Sequence, residues 1–418
     1  MKANLSLIIF YLVNLNCYGQ TQTKKVLFLG NSYTQYNNLP QLTADIAQST
    51  NDVLVFDSNT PGGHRLSDHA SNPNSLNKIA QGNWDFVVLQ EQSQLPSFPI
   101  NQVNSQVFPY AQNLNNLIVT QNPCAETVFY MTWGRQNGDS QNCAVFPSVC
   151  TYEGMDDLLR ERYMTMTVNN QAIVSPVGAV WRYLRTHSPA LNLYVSDGSH
   201  PSLLGSYVAA CTFYTTLYRK DPTLITFNST LAEADANTIK AAVKMVVFEH
   251  LTDWMIGNYD TNSNFTYSNT TTTNVHFYNS STNATSYLWD FGDTTTSTES
   301  NPVHLYNSAG EYTVTLTATQ CGMTSVSQQT INTSVLAINS NGFNEPRIKL
   351  YPNPVDDILF VDCTEKIVQI ELYDVLGRLL KVNTNENTTM DLSTQKADVY
   401  FVKVITENGM IVEKIIKN

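Results

Sequence analysis

Four short stretches hold side chains whose types and spacing suit acyl-transfer chemistry. In "KKVLFLGNSYTQYNNLP", residues 24–40, an apolar run ends at Gly30, and Ser32 comes two residues later, before a helix can begin. A serine on such a strand-to-helix turn can attack a carbonyl, while its own N–H helps hold the resulting oxyanion. The same serine can instead merely cap the next helix. A serine nucleophile needs a base, and "YVSDGSHPSLLGSYVAACTFY" places Asp197 three residues before His200, in a loop leading into a helix. At that spacing the aspartate can accept from Nδ1–H while Nε2 faces the serine. Pro201 fits the first helical turn, where a missing N–H costs nothing. A surface turn with a histidine near a helix start is the plainer alternative.

Donors for an oxyanion come from two further strand ends. In "NTPGGHRLSDH", Gly62-Gly63 lets a backbone N–H approach a ligand with no side chain in the way, although Pro61-Gly62 also suits an ordinary type II turn. "WDFVVLQEQSQLP" ends in Gln90-Glu91-Gln92, where a glutamine amide can donate. Either Gln90 or Gln92 can supply it. His64 and His69 read as helix-flank or wall residues and not as ligands. No His/Cys/Asp/Glu cluster has metal-ligand spacing, so no metal and no cofactor is expected.

Elements that would position these groups emerge from periodicity. Val26–Leu29, Val53–Phe56, Phe86–Leu89 and Thr127–Tyr130 read as strands. Leu39–Ala47, Val103–Ile118, Met155–Asn170, Ala179–Arg185, Leu203–Leu217 and Ala232–Met255 read as helices. Such alternation predicts an α/β domain with a doubly wound parallel sheet, whose ligands bind beyond the carboxyl ends of the strands. After residue 257 the text turns to Thr- and Asn-rich alternation, which predicts two small all-β sandwiches. The expected organisation is a signal peptide at 1–19, the α/β domain at 20–257, a first sandwich at 258–335, a linker at 336–347 and a second sandwich at 348–418.

Bulk properties narrow the partners. The chain has 418 residues, 14% of them charged, and a net charge of −12 without a basic run. Nothing here would displace counterions from phosphates, so a nucleic-acid partner is not expected. Lys2 and the apolar Leu5–Leu15 stretch read as an export signal, and no later run reaches the roughly 18 residues of a membrane span. The six cysteines after Cys17 then meet an oxidising compartment. Cys143 and Cys150 can close a small loop, and Cys211 reads as a buried helical thiol.

Taken together, "GNSYT", the Gly63 stretch, "LQEQS" and "DGSH" resemble the blocks of the SGNH (GDSL-type) hydrolases in their chain order. The resemblance implies that Ser32 is the nucleophile, that Asp197 and His200 complete the triad, and that Ser32 and Gly63 contribute oxyanion donors. The usual Gly-x-Asn-Asp block is absent, and Gln90 is the replacement suggested by the "WYQGES" context of sialate O-acetylesterase-like proteins. "LGNSYTQYNNLP", "GGHRLSDH", "WDFVVLQEQS", "YMTWG" and "DGSHPSLLGSYVAA" also look like a bacterial SGNH-related family of unassigned function. "YLWDFGDTTTSTESNPVHLYNSAGEYTVTLTAT" resembles a polycystic-kidney-disease-type (PKD) Ig-like domain, with Trp289 and Phe291 directed into its core. "IKLYPNPVDDILFV", "IELYDVLGRLL" and "DVYFVKVITENGMIVEKIIKN" resemble a type IX secretion sorting domain.

These resemblances imply a secreted or cell-surface serine esterase, exported through the periplasm and outer membrane by type IX secretion machinery. Its expected substrate is an acylated polysaccharide or small ester, from which acetyl or another small acyl group is removed. The alternative is a non-catalytic carbohydrate-binding or adhesive surface protein.

Overall fold

A computed structural model describes residues 21–269, 274–333, 348–363, 365–375, 377–384, 388–407 and 410–418. The expected signal peptide and the expected linker lie outside these residues. The chain divides into two compact units, one of residues 1–268, 276–304 and 313–330, the other of 269–275, 305–312 and 331–418.

The α/β domain is built on β1 (Thr23–Leu29), β2 (Val53–Asn59), β3 (Phe86–Leu89), β4 (Glu126–Tyr130) and β5 (Ile173–Ser175). They form one parallel sheet in the order β2-β1-β3-β4-β5, with Val26 opposite both Phe56 and Phe86. Val26–Leu29 and Phe86–Leu89 are buried throughout, as continuous apolar runs covered on two faces require. The order reverses at β1, so a crevice opens where β1 and β3 end side by side.

Ten α-helices accompany the sheet among the described residues: α1 (Ser32–Gln35), α2 (Leu39–Gln48), α3 (Leu66–His69), α4 (Pro73–Ala80), α5 (Ile100–Gln106), α6 (Phe108–Gln121), α7 (Tyr152–Asn169), α8 (Val177–His187), α9 (Leu203–Tyr218) and α10 (Glu233–Val246). Side chains satisfy the first-turn amides of several. Asn72, Thr151 and Ser202 accept from N–H groups at the starts of α4, α7 and α9. Helix α9 is buried from Gly205 to Tyr218, which explains its unbroken apolar and small-residue text.

Several expected elements differ in detail. The single helix expected over 103–118 is two, broken at Val107, because Pro109 brings no N–H to carry the ladder across. The helix expected over 232–255 ends at Val246 and continues as a 3-10 segment, Phe248–Trp254, kinked at His250. Strand β5 and helices α1, α3 and α4 were not expected, being too short to show a period. Pro201 lies one residue outside the N-cap Ser202 and not in the first turn of α9.

The next strands are β6 (Phe265–Asn269), β7 (Asn274–Asn279), β8 (Ser286–Asp290), β9 (Thr296–Ser297), β10 (Val303–Leu305), β11 (Glu311–Gln320) and β12 (Met323–Asn332). They pair as two sheets, β10-β7-β6 and β12-β11-β8-β9. Trp289 and Phe291 are buried with Phe265 and Phe277, and Trp289 Nε1 donates to the Glu299 carbonyl at 2.9 Å. The last strands are β13 (Lys349–Tyr351), β14 (Ile358–Asp362), β15 (Ile367–Tyr373), β16 (Leu379–Thr384), β17 (Thr389–Asp391), β18 (Asp398–Thr406) and β19 (Met410–Lys417). Their sheets, β13-β14-β17 and β16-β15-β18-β19, enclose a separate core that includes Leu359, Ile370, Val402 and Ile415.

Cys143 pairs with Cys150, and Cys211 is a buried free thiol. A second disulfide, Cys124–Cys321, spans 197 residues and joins the loop before β4 to the β11–β12 turn. That pairing has no local sequence signal. Among the described residues no helix is long and apolar enough to cross a membrane.

Candidate active site

Strand β1 delivers Ser32 to the carboxyl rim of the sheet. Gly30 N–H still bonds the Asn59 carbonyl at 3.2 Å, and the chain then turns abruptly into α1. A Cβ at Gly30 would stand 2.5 Å from Thr34 Oγ1 and 2.7 Å from Gln90 Oε1, so only glycine fits the turn. Asn31 locks the start of α1. Its Oδ1 accepts from Tyr33 N at 3.1 Å and Gln90 Nε2 at 2.8 Å, and its Nδ2 donates to the His64 carbonyl at 2.9 Å. One buried asparagine thus ties together the ends of three strands. Ser32 is left at the first helical position, with its N–H given to no acceptor among the described residues.

The loop before α9 brings in the histidine. Val195 N bonds the His200 carbonyl at 3.0 Å, Gln136 N bonds the Gly198 carbonyl at 2.8 Å, and Trp133 Nε1 donates to the Ser199 carbonyl at 3.1 Å. Within this frame Ser32 Oγ donates to His200 Nε2 at 2.8 Å, and His200 Nδ1–H donates to Asp197 Oδ2 at 2.6 Å. The second oxygen of Asp197 accepts the amides of Ser199 and His200 at 2.8 and 2.9 Å. Partial burial works against the Asp197 charge. The His200 ring and these two amides outweigh it and hold the carboxyl below its ordinary range. An ionised Asp197 fixes the tautomer in which Nε2 is free to accept from the serine. The Tyr36 ring stacks on the imidazole at 4.5 Å, and Tyr33 meets it edge-on at 5.3 Å.

These groups open on a cavity of about 250 Å³ lined by Asn31, Ser32, Tyr33, Gly63, Gln92, Ser93, Arg135, Ser199 and His200. Gly63 adopts φ +72°, a conformation a side chain would strain, and its N–H has no acceptor among the described residues. The amides of Ser32 and Gly63 are therefore two uncommitted donors on one cavity.

The Gln90 expectation needs correction. Gln90 is wholly buried and is absent from the cavity lining. Its Nε2 donates to Asn31 Oδ1 and the Glu91 carbonyl, and its Oε1 accepts from Asn31 N and Thr34 Oγ1. With every amide position committed, it braces the serine turn from below. The chain has left β3 at Leu89, so strand alternation no longer governs it, and Gln92, two residues beyond Gln90, lies in the lining. Gln92 Oε1 accepts from Gln94 N and Leu95 N, and Nε2 keeps one hydrogen beyond its 3.2 Å contact to Gln94.

His69 and Glu91 lie beneath this rim. Burial pushes the His69 ring down to about 4, so it is neutral. Its Nε2–H donates to the Gly30 carbonyl at 2.9 Å and its Nδ1 accepts from Ser75 Oγ at 2.7 Å. His69 braces the Ser32 turn. Burial likewise pushes the Glu91 carboxyl up to about 8, against the amides of Gln92 and Leu66 that it accepts. His64 contributes its carbonyl to Asn31. Tyr36, Ser93 and Arg135 were not singled out in the sequence. Arg135 stands five residues past the end of β4, while Gly30 directly follows β1, and its place beyond that carboxyl edge was the available signal.

Comparison with known proteins assigns the two β domains. Residues 257–335 match the PKD domain family, and residues 349–418 match the secretion system C-terminal sorting domain. The second match agrees with the type IX sorting tail expected from the sequence and marks the chain for export to the cell surface or medium. A curated relative, the collagenase ColA of Bacillus cereus, is 46% identical over 61 residues, 13% of this chain and 6% of the collagenase. The chain thus spans a small fraction of that relative's length. A solved DUF4886 family protein from Bacteroides uniformis is 18% identical, with 53% of this chain and 93% of that one covered and a TM-score of 0.45. A proposed SGNH hydrolase from Slackia heliotrinireducens is 26% identical, with 47% and 99% covered and a TM-score of 0.40.

Proposed function

We propose that the chain is an exported serine esterase that removes acetyl or other short acyl groups from extracellular polysaccharide. The observation that carries this reading is the hydrogen-bonded row Ser32–His200–Asp197, opening on a cavity with two backbone amides that have no acceptor among the described residues. Ser32 Oγ attacks the ester carbonyl as His200 Nε2 takes its proton. The tetrahedral oxyanion accepts from the N–H groups of Ser32 and Gly63. The free hydrogen of Gln92 Nε2 takes the third place, which Gln90 cannot fill. His200 returns the proton to the departing sugar hydroxyl and leaves an acyl group on Ser32. Water, deprotonated by the same imidazole, then releases the acid. Asp197 holds Nδ1–H throughout and stabilises the imidazolium.

The cavity's small size favours short acyl groups over fatty chains, and export places the enzyme among extracellular glycans. Purified protein should release p-nitrophenol from p-nitrophenyl acetate and acetate from acetylated xylan or pectin. Ser32→Ala should lower turnover by roughly 10⁴- to 10⁶-fold. No activity above that control on any of the three substrates would overturn the esterase reading.

A further inference from the structure

The esterase reading leaves one side chain of the cavity without a task. Arg135 follows β4 in "YMTWGR" and lines the same 250 Å³ space as Ser32 and His200. Its hydrogen bonding is sparse. Nη1 forms an ion pair with Asp139 Oδ1 across a long 3.4 Å, and Nε is buried with no partner among the described residues. Asp139 is itself wholly buried and largely satisfied by others. Gln94 Nε2 and Asn142 Nδ2 donate to its Oδ2 at 2.8 and 2.7 Å, and Gln141 N donates to its Oδ1 at 3.2 Å. A guanidinium carries five donors, and most of these are unused inside the protein.

The surroundings make this positive charge conspicuous. Among the described residues no Asp or Glu lines the cavity, and Arg135 is the only Lys or Arg that does. The carboxylate of the triad, Asp197, is directed to the far side of the imidazole, at Nδ1. The whole chain carries a net charge of −12, and Asp139, the carboxylate paired with Arg135, lies outside the lining, so the guanidinium is the charge that faces the cavity. Leaving guanidinium donors unpaired in a largely buried setting is costly unless a ligand completes them. The natural complement is a planar carboxylate, which a guanidinium grips through paired N–H groups.

We propose that Arg135 is a substrate-binding residue and that the enzyme acts on esters of acidic sugars, whose carboxylate Arg135 receives while the ester lies over Ser32. This rests on the esterase reading for the reaction and narrows its substrate to uronate-containing glycans. Arg135 does not take part in bond making. It sets which ester stays bound long enough to react.

The test separates charge selection from catalysis. Binding is measured calorimetrically with full-length Ser32→Ala protein, which holds substrate without consuming it. The ligands are O-acetylated oligogalacturonates and the same oligomers with their carboxyls converted to methyl esters, which removes the anionic carboxylate a guanidinium grips. The free-carboxylate form should bind roughly 10- to 100-fold more tightly, and added Arg135→Gln should bring the ratio near one. Arg135→Lys, which keeps the charge and loses the planar fork, should retain an intermediate ratio. Equal affinity for the two forms in the Ser32→Ala protein overturns the proposal, whatever the folding of the arginine variants. Selective binding with no turnover by the wild type would sink the esterase reading alone. Hydrolysis of neutral esters without charge selectivity would sink the arginine proposal alone.

Discussion

Glu91 offers a perturbation whose size can be worked out from its surroundings. Its side chain is wholly buried under the rim that carries Ser32 and Gly63. It accepts Leu66 N at 3.2 and 3.3 Å and Gln92 N at 2.6 Å, and forms no salt bridge with a Lys, Arg or His among the described residues. Burial outweighs those amides and lifts the carboxyl from an ordinary value of 4.5 to about 8. Between those values the unfolded chain loses this proton and the folded chain keeps it. The folded state therefore falls behind by about 1.4 kcal/mol per pH unit, or ~5 kcal/mol across the whole interval. Glu91→Gln has the shape of the protonated acid and no proton to lose. Wild type and variant should be close in stability near pH 4.5, with the variant pulling ahead as pH rises and the gap levelling above about 8. Urea denaturation followed by tryptophan fluorescence, repeated from pH 4.5 to 8.5, reads this directly, because Trp133 and Trp181 are buried in the same core. A gap that stays constant over that range, or a wild type that gains on the variant with rising pH, would refute the reasoning. The first result would mean Glu91 keeps an ordinary pKa, and the second that its ionised form is the stabilised one.

Tyr36 stacks face-on against His200, where an aromatic face would favour the imidazolium of the proposed attack. Tyr36→Leu should lower kcat for p-nitrophenyl acetate by about 2- to 5-fold and leave KM almost unchanged; an altered KM with constant kcat would show that the ring serves binding instead. The Cys124–Cys321 disulfide closes a long loop, worth up to about 5 kcal/mol of unfolded-state entropy. Cys124→Ser with Cys321→Ser should lower the first thermal unfolding midpoint and separate the α/β and sandwich transitions in calorimetry. An unchanged trace would mean that the crosslink contributes nothing to their coupling.

What could be read directly was whatever depends on neighbours in sequence. Val26–Leu29 and Phe86–Leu89 are continuous apolar runs, so parallel, doubly covered strands were legible from composition. Gly30 before Ser32, and Asp197 three residues before His200, are spacings that backbone geometry alone makes meaningful. Trp289 and Phe291 declared a sandwich core by alternation.

The rest depended on groups distant in the chain, and only tertiary packing chose among them. Gln90 and Gln92 are the same residue type two positions apart. Which one meets the cavity was decided by Asn31 and Thr34 consuming the amide of Gln90. Arg135 and Tyr36 belong to no local pattern, and the carboxyl ends of separate strands gather them around His200. Cys124 found Cys321 across 197 residues for the same reason. Sequence governs backbone tendencies over a few residues, whereas a site is a coincidence of loops, and the assembled sheet supplies that coincidence.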